Sequence, residues 1–180
     1  MLGKRFPLEV RRRLLAGSPR ALAVVELAAE KAGWGKRLSA GHGRGISFAN
    51  NIGSFTAQVA EVSVSAGKLK VHRVVCAVDC GRIVNPGIIE QQIQSGIAFG
   101  LAAALKGGIT IDKGRVQQGN FHNYDVLRID EMPQVEVHIV ASTAPSGGIG
   151  EASTPGIAPA VTNAIFAATG QRIRTLPIRL

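Results

Sequence analysis

The sequence predicts an α+β domain in which a mixed sheet with hairpins packs against two to three helices. Three observations carry this. Two runs rich in β-formers, 56–65 and 70–77, flank the dipeptide Ala66-Gly67, the pattern of a hairpin. Two long apolar stretches, 86–105 and 155–169, each start at a proline beside a capping-type residue. Strands and helices mix with hairpins rather than alternating strictly, which argues against a purely parallel wound sheet.

Each element has its own warrant. Ser18-Pro19 opens a helix to about Ala32, with Leu22, Val25, Leu27 and Ala28 on its apolar side and Gly33 as its stop. Residues 34–44 read as a Gly-rich connector, and Ile46–Ala49 as a short strand. In 56–65, Ala57, Val59, Glu61 and Ser63 alternate with Gln58, Ala60, Val62 and Val64. Lys70–Ala77 returns as the partner strand. Asn85-Pro86 supplies an N-cap and a first-turn proline for a helix to about Leu105. That helix carries Gly96 and Gly100 four apart. Such glycines cost about 1 kcal/mol each unless close packing requires them, so they predict a tight crossing. A second hairpin covers about 108–118, turning near Lys113-Gly114, and 134–141 alternates as a half-buried strand. No internal repeat or low-complexity segment is present.

Composition narrows the classes. The 180 residues fit one domain or two small subdomains. Hydrophobic residues make up 46%, yet no run approaches eighteen apolar residues, so no membrane span is expected. Met1–Pro7 lacks the apolar run of a secretory signal, and a cytoplasmic location is the expectation. Cys76 and Cys80 match neither a zinc nor a disulfide framework and read as buried hydrophobes in a reducing compartment. The net charge of +9 is concentrated at the start: residues 1–45 carry ten Lys/Arg against three Asp/Glu, with Arg11-Arg12-Arg13 at the centre. Residues 1–17 therefore read as a basic N-terminal segment, and 18–180 as the folded portion. Aromatics are only 4% and none interleaves with the arginines, so stacking platforms for nucleic acid are missing. A solvated face or an acidic partner explains the charge better than nucleic acid does.

The chemistry concentrates at 147–158, Gly147-Gly148-Ile149-Gly150-Glu151-Ala152-Ser153-Thr154-Pro155-Gly156-Ile157-Ala158. Thr154 suits an N-cap and Pro155 the first helical position. Ile157, Ala160, Val161, Ala164, Ile165 and Ala168 recur at helical spacing, and Gly170 is the stop. Glu151 then sits at the positive end of a buried helix, where an ionised carboxylate is favoured. Two readings stay open from pattern alone. Glu151 is a general base in a small-residue cleft, or it merely caps the helix. Gly41-His42-Gly43-Arg44-Gly45 is a weak phosphate-loop candidate, because it precedes a strand.

Five runs occur in an order that resembles a known family. They are Val71–Gly81, Asn85-Pro86, Gln91-Gln92-Ile93-Gln94-Ser95-Gly96, Asn120-Phe121-His122-Asn123-Tyr124 and Gly148-Ile149-Gly150-Glu151. Over roughly residues 8–180 the chain resembles the C-terminal part of the molybdenum-binding large subunit of the xanthine dehydrogenase and aldehyde oxidase family, of the isoquinoline 1-oxidoreductase beta-subunit type. The resemblance implies a molybdenum-cofactor-binding-domain fold with molybdopterin as cofactor in the complete enzyme. It implies that Glu151 is the general base on a metal-bound hydroxide, that hydride passes to a sulfido ligand, and that electrons leave through the pterin to iron–sulfur clusters. It matches Gln92 to a glutamine that hydrogen-bonds the pterin, against the plain alternative of an exposed helical glutamine. It adds Gly148 and Gly150 as cofactor contacts, whereas the residues alone favour turn geometry for these glycines and for Asp79. No residue of this stretch is expected to ligate the metal directly.

The family's large subunits are several times longer. Their upstream Gly-Gln-Gly-type loop and their substrate-pocket loops have no counterpart here, and there is no cysteine set for an iron–sulfur cluster. The expectation is a fragment or subunit of a hydroxylase that oxidises N-heterocycles or aldehydes with water-derived oxygen. Its partners would be the remaining part of the large subunit, a two-iron–two-sulfur small subunit and an aromatic heterocycle or aldehyde substrate. The alternative is a non-catalytic interaction or assembly module that keeps the fold without a complete active site. Alone, the chain is expected to bind little or no cofactor and to form a homo-oligomer through the surfaces left exposed.

Overall fold

A computed structural model describes residues 7–180. Its elements in chain order are helix α1 (Pro7–Leu14), α2 (Pro19–Lys31), strands β1 (His42–Asn51), β2 (Ser54–Ser65) and β3 (Lys68–Asp79), helix α3 (Pro86–Leu105), the short strands β4 (Ile111–Asp112) and β5 (Arg115–Val116), a single 3-10 turn at Ile129–Glu131, strand β6 (Gln134–Ile139) and helix α4 (Thr154–Thr169). The main sheet runs β1-β2-β3-β6: the first three strands form an antiparallel meander, and β6 adds in parallel to β3. β4 and β5 pair separately as the second hairpin. The α+β class and the mixed sheet are as the sequence predicts.

Helices cover both faces. α2 packs against β2 and β3 on one face, while α4 packs against β1 and β2 on the other, with α3 alongside α4. Helices on both faces explain why β2 is buried at nearly every position from Ser54 to Val62 rather than at alternate ones. Ala57, Val59, Val75 and Ala77 join Val24, Val25 and Ala28 in one core cluster. Ala60, Val62, Val74, Cys76 and Val78 join Ile93, Ile97, Leu101, Ile157, Val161 and Ile165 in the other. A β-bulge at Glu61/Val62 places His72 out of register.

Two differences from the sequence reading have physical causes. β1 is ten residues long and not four, because the Gly-rich segment enters the ladder: Gly43 pairs with Val62 and Gly45 with Ala60. These glycines are not a phosphate loop. A Cβ on Gly45 would meet the α4 backbone at Ala160 O and Ala164 N, and one on Gly43 would meet Ala164 O. They let a helix lie directly on a strand. Second, part of the basic N-terminal segment is the helix α1, which packs on α2 through buried Leu8. Eight residues carrying three consecutive arginines gave no apolar period to read. The segment Met1–Phe6, on which the reading of a missing secretory signal falls, lies outside the described residues. Among those described, no helix is long and apolar enough to cross a membrane.

Candidate functional site

α3 and α4 cross beside the turn that carries Glu151. A Cβ on Gly96 would meet Ser153 Oγ, and one on Gly100 would meet Ile157 and Thr154 O, so the helices touch where the glycine pair predicts. Asn85 caps α3, its side chain accepting from Ile88 N at 3.2 Å. Gln92 lies one helical turn before Gly96 and is therefore on the α4 side of α3, half-buried. Its neighbours Gln91 and Gln94 face away, into a groove described below.

α4 begins at Thr154, one residue earlier than a Thr154 cap would place it. Ser153 occupies the cap position, but its hydroxyl donates to Ile93 O at 2.9 Å instead of capping. Gly170 ends the helix in the left-handed region at φ 79°. The turn 147–153 is held from several sides. Gly147 N donates to Cys80 O at 2.9 Å and Gly148 N to Ile52 O at 2.7 Å. Ser54 Oγ donates to Gly148 O at 2.7 Å, Thr56 Oγ1 to Ala152 O at 3.0 Å and Gln58 Nε2 to Ser153 O at 2.6 Å. Thr154 N closes the turn onto Glu151 O at 3.2 Å.

Within this turn Ala152 and Ser153 are buried, while Gly150 and Glu151 are exposed. Among the described residues the Glu151 carboxylate accepts no hydrogen bond from the first turn of α4, so any stabilisation it gives that helix end is through charge and not through a capping bond. Gly148 and Gly150 differ. A Cβ on Gly148 would strike the Ile52 side chain, and both backbone polar groups of Gly148 are engaged within the fold. Gly150 has nothing within 4 Å of a Cβ and no positive φ, so neither packing nor backbone requires a glycine there. A glycine the fold does not need is what close approach of a ligand would call for. The Gly150 and Glu151 N–H groups also find no backbone acceptor among the described residues. Open amides beside a carboxylate suit a ligand with pterin-type donors and acceptors. No cluster of three or more His, Cys, Asp or Glu suited to a metal ion occurs among the described residues.

Asp79 serves structure. Its carboxylate accepts Gly81 N at 2.9 Å and both arms of Arg20 at 2.7 and 2.8 Å. The Arg20 hydrogen bonds are the main reason its carboxyl is held below the ordinary value, against the opposing effect of burial. This clamp fixes the loop that passes Cys80 O to Gly147. The sequence singled out Asp79 but not Arg20, because the pair is 59 residues apart. The same holds for Ser54, Thr56 and Gln58, whose partners lie 94 to 96 residues away. Polar residues inside an otherwise apolar strand were the signal that could have found them.

The basic run is largely neutralised. Arg12 pairs with Glu26 at 2.6 Å and Arg13 with Glu9 at 3.3 Å, on the surface. Elsewhere, the outer face of α3 and residues 124–132 form an open apolar groove of about 870 Å³, lined by Phe99, Ala102, Tyr124, Leu127, Ile129 and Met132 among others. Phe99 is 73% and Ile129 93% exposed.

Comparison with known proteins gives a consistent result. The molybdopterin cofactor-binding domain family matches residues 16–133. The chain is 38% identical over 178 residues to the beta subunit of isoquinoline 1-oxidoreductase from Brevundimonas diminuta, across 96% of this chain and 23% of that protein. It is 32% identical over 192 residues to a nicotinate dehydrogenase subunit from Pseudomonas putida, across 96% and 16%. Among solved structures, the aldehyde oxidoreductase from Desulfovibrio gigas superposes with a TM-score of 0.60 at 26% identity, over 69% of this chain and 14% of that one. The chain thus spans at most 23% of the length of these relatives.

Proposed function

Since this chain belongs to the molybdopterin cofactor-binding domain family, we propose that it is the C-terminal portion of the large subunit of a molybdenum hydroxylase, acting on N-heterocycles or aldehydes with oxygen derived from water. The observation that carries the reading is Glu151: an exposed, uncommitted carboxylate on a turn otherwise pinned on both sides, next to a glycine the fold does not need. When bound, the molybdenum cofactor supplies a two-electron acceptor. Glu151 takes the proton from the oxygen nucleophile as it attacks, and the rigid turn holds the carboxylate in place for that transfer. The Gln92 amide and the open amides of Gly150 and Glu151 hold cofactor polar atoms, while Gly148 shapes the turn.

The rest follows from size. The matched proteins are more than four times longer, so segments that complete the site come from the remaining part of the large subunit, with a two-iron–two-sulfur small subunit receiving electrons. The groove along α3 is where that remaining part seats, which accounts for its exposed Phe99 and Ile129. In isolation the chain binds little molybdopterin. The test is reconstitution with the missing part. Turnover should appear, and Glu151→Gln should lose at least about a hundredfold in kcat, as expected on removing a general base, while molybdenum and pterin content stay unchanged. Near-normal turnover in Glu151→Gln removes the base assignment. Reconstitution that yields pterin binding without turnover favours the assembly-module alternative.

A further inference from the structure

We infer that strand β2 is a positioning rail for Glu151, with Ser54, Thr56 and Gln58 as positioning residues that act through the backbone of the turn. This rests on the reading of Glu151 as general base. The three residues occupy alternate positions of β2 and so share one face, the face that Ala60 and Val62 continue into the core beneath α3 and α4. All three are buried, at 1% exposure or less. Polar side chains at such depth are unfavourable unless hydrogen-bonded. Each donates to a backbone carbonyl of the turn: Ser54 to Gly148, Thr56 to Ala152, Gln58 to Ser153. These carbonyls flank Gly150-Glu151 on both sides. The turn has no ladder of its own, so these side chains fix it together with the backbone bonds of Gly147 and Gly148, the Ser153 hydroxyl on Ile93 O and the Asn51 amide on Glu151 O at 3.5 Å.

Gln58 shows that the arrangement serves more than stability. The Ser153 carbonyl can only accept, so the amide must present Nε2 to it. That orientation leaves Gln58 Oε1 without a donor among the described residues, and Ser47 Oγ, on its cross-strand partner, is likewise unpartnered. The arrangement therefore leaves one buried acceptor unpaired while it holds the Ser153 carbonyl. Gly156 preserves the space, because a Cβ there would press on Gln58 Nε2 at 2.8 Å.

The test uses Thr56→Val, Thr56→Ser and Gln58→Met in the purified chain, read by residue-resolved amide exchange and thermal unfolding. Thr56→Val and Gln58→Met should speed exchange by about tenfold or more at Gly148 and Thr154, whose N–H groups are bonded to Ile52 O and Glu151 O, as a locally released segment does, with the middle of α4 still protected. Thr56→Ser should match the parent chain. Gln58→Met should lower the melting temperature only modestly, because the Ser153 carbonyl loses its donor, and a loss of protection confined to the turn separates positioning from support of the fold. In the reconstituted enzyme both releasing variants should lower kcat with KM unchanged. Unchanged exchange in both, or faster exchange throughout β2 and α4 in Gln58→Met, overturns the rail. Exchange is read without turnover, so Glu151→Gln with full activity would overturn the base assignment separately.

Discussion

Arg20 grips Asp79 with both arms of its guanidinium, at 2.7 and 2.8 Å, and at the same time lies 4.7 Å over the Phe55 ring. The Asp79 side chain is 2% exposed and that of Arg20 34%. Removing Arg20 would leave a buried carboxylate held only by Gly81 N and its surroundings. Arg20→Met should destabilise the chain by roughly 3 kcal/mol, at the low end for a broken buried pair because Arg20 is partly solvated. The pH dependence has a definite sign. The folded carboxyl titrates below its ordinary value of about 3.9, so the pair stabilises at neutral pH and that contribution fades as pH falls below about 4. Urea unfolding from pH 7 to pH 3 should show the parent and Arg20→Met converging in acid. A gap that stays constant would refute the linkage.

The glycines of β1 give a second prediction. At Gly45 the obstacle is the backbone of α4, which cannot swing aside as a flexible side chain can. Gly45→Ala should cost about 3 kcal/mol or prevent folding, the upper range for overpacking. Gly17, with open space around it and no positive φ, is the control. Gly17→Ala should be neutral or stabilising by up to about 1 kcal/mol through the unfolded state. Chemical denaturation of the two variants side by side checks both.

The thiols provide a third. Cys76 is fully buried, and burial pushes its thiol up to about 12; Cys80 is raised by the same cause. The reactive species is the thiolate, so neither cysteine should react with a disulfide reagent in the native chain at pH 8. Two thiols should react after unfolding. One thiol reacting fast in the native state would contradict the packing of the β3 end.

The exposed groove gives a fourth. In the absence of its covering segment, the patch around Phe99 and Ile129 should drive self-association of the isolated chain. Replacing both residues by glutamate should shift the sedimentation profile toward monomer with no change in melting temperature. An unchanged association state would place the contact elsewhere, for instance on the turn around Gly150.

Much of this molecule is legible in local pattern. The run from Asn85-Pro86 to Leu105 became α3 with those bounds, because a cap, a proline and an apolar stripe are all local signals. Gly96 and Gly100 announced a close crossing before its partner was known, since a glycine in a helix interior needs a packing reason. Glu151 and its Gly-rich surroundings stood out for the same reason: small residues beside one carboxylate are unusual wherever they occur. By itself, then, the sequence determined most of the elements, though not α1 or the length of β1, together with the α+β class, the family resemblance and the candidate base. Only the tertiary structure decided what fixes that base. The contacts of Ser54, Thr56 and Gln58 with the turn, and of Arg20 with Asp79, join residues 59 to 96 positions apart. No periodicity within a strand or helix encodes such partners, because they arise when separate elements stack on opposite faces of one sheet. The glycines of β1 make the same point. Locally they imitate a phosphate loop, and only the helix lying against them shows that they are there to let it approach.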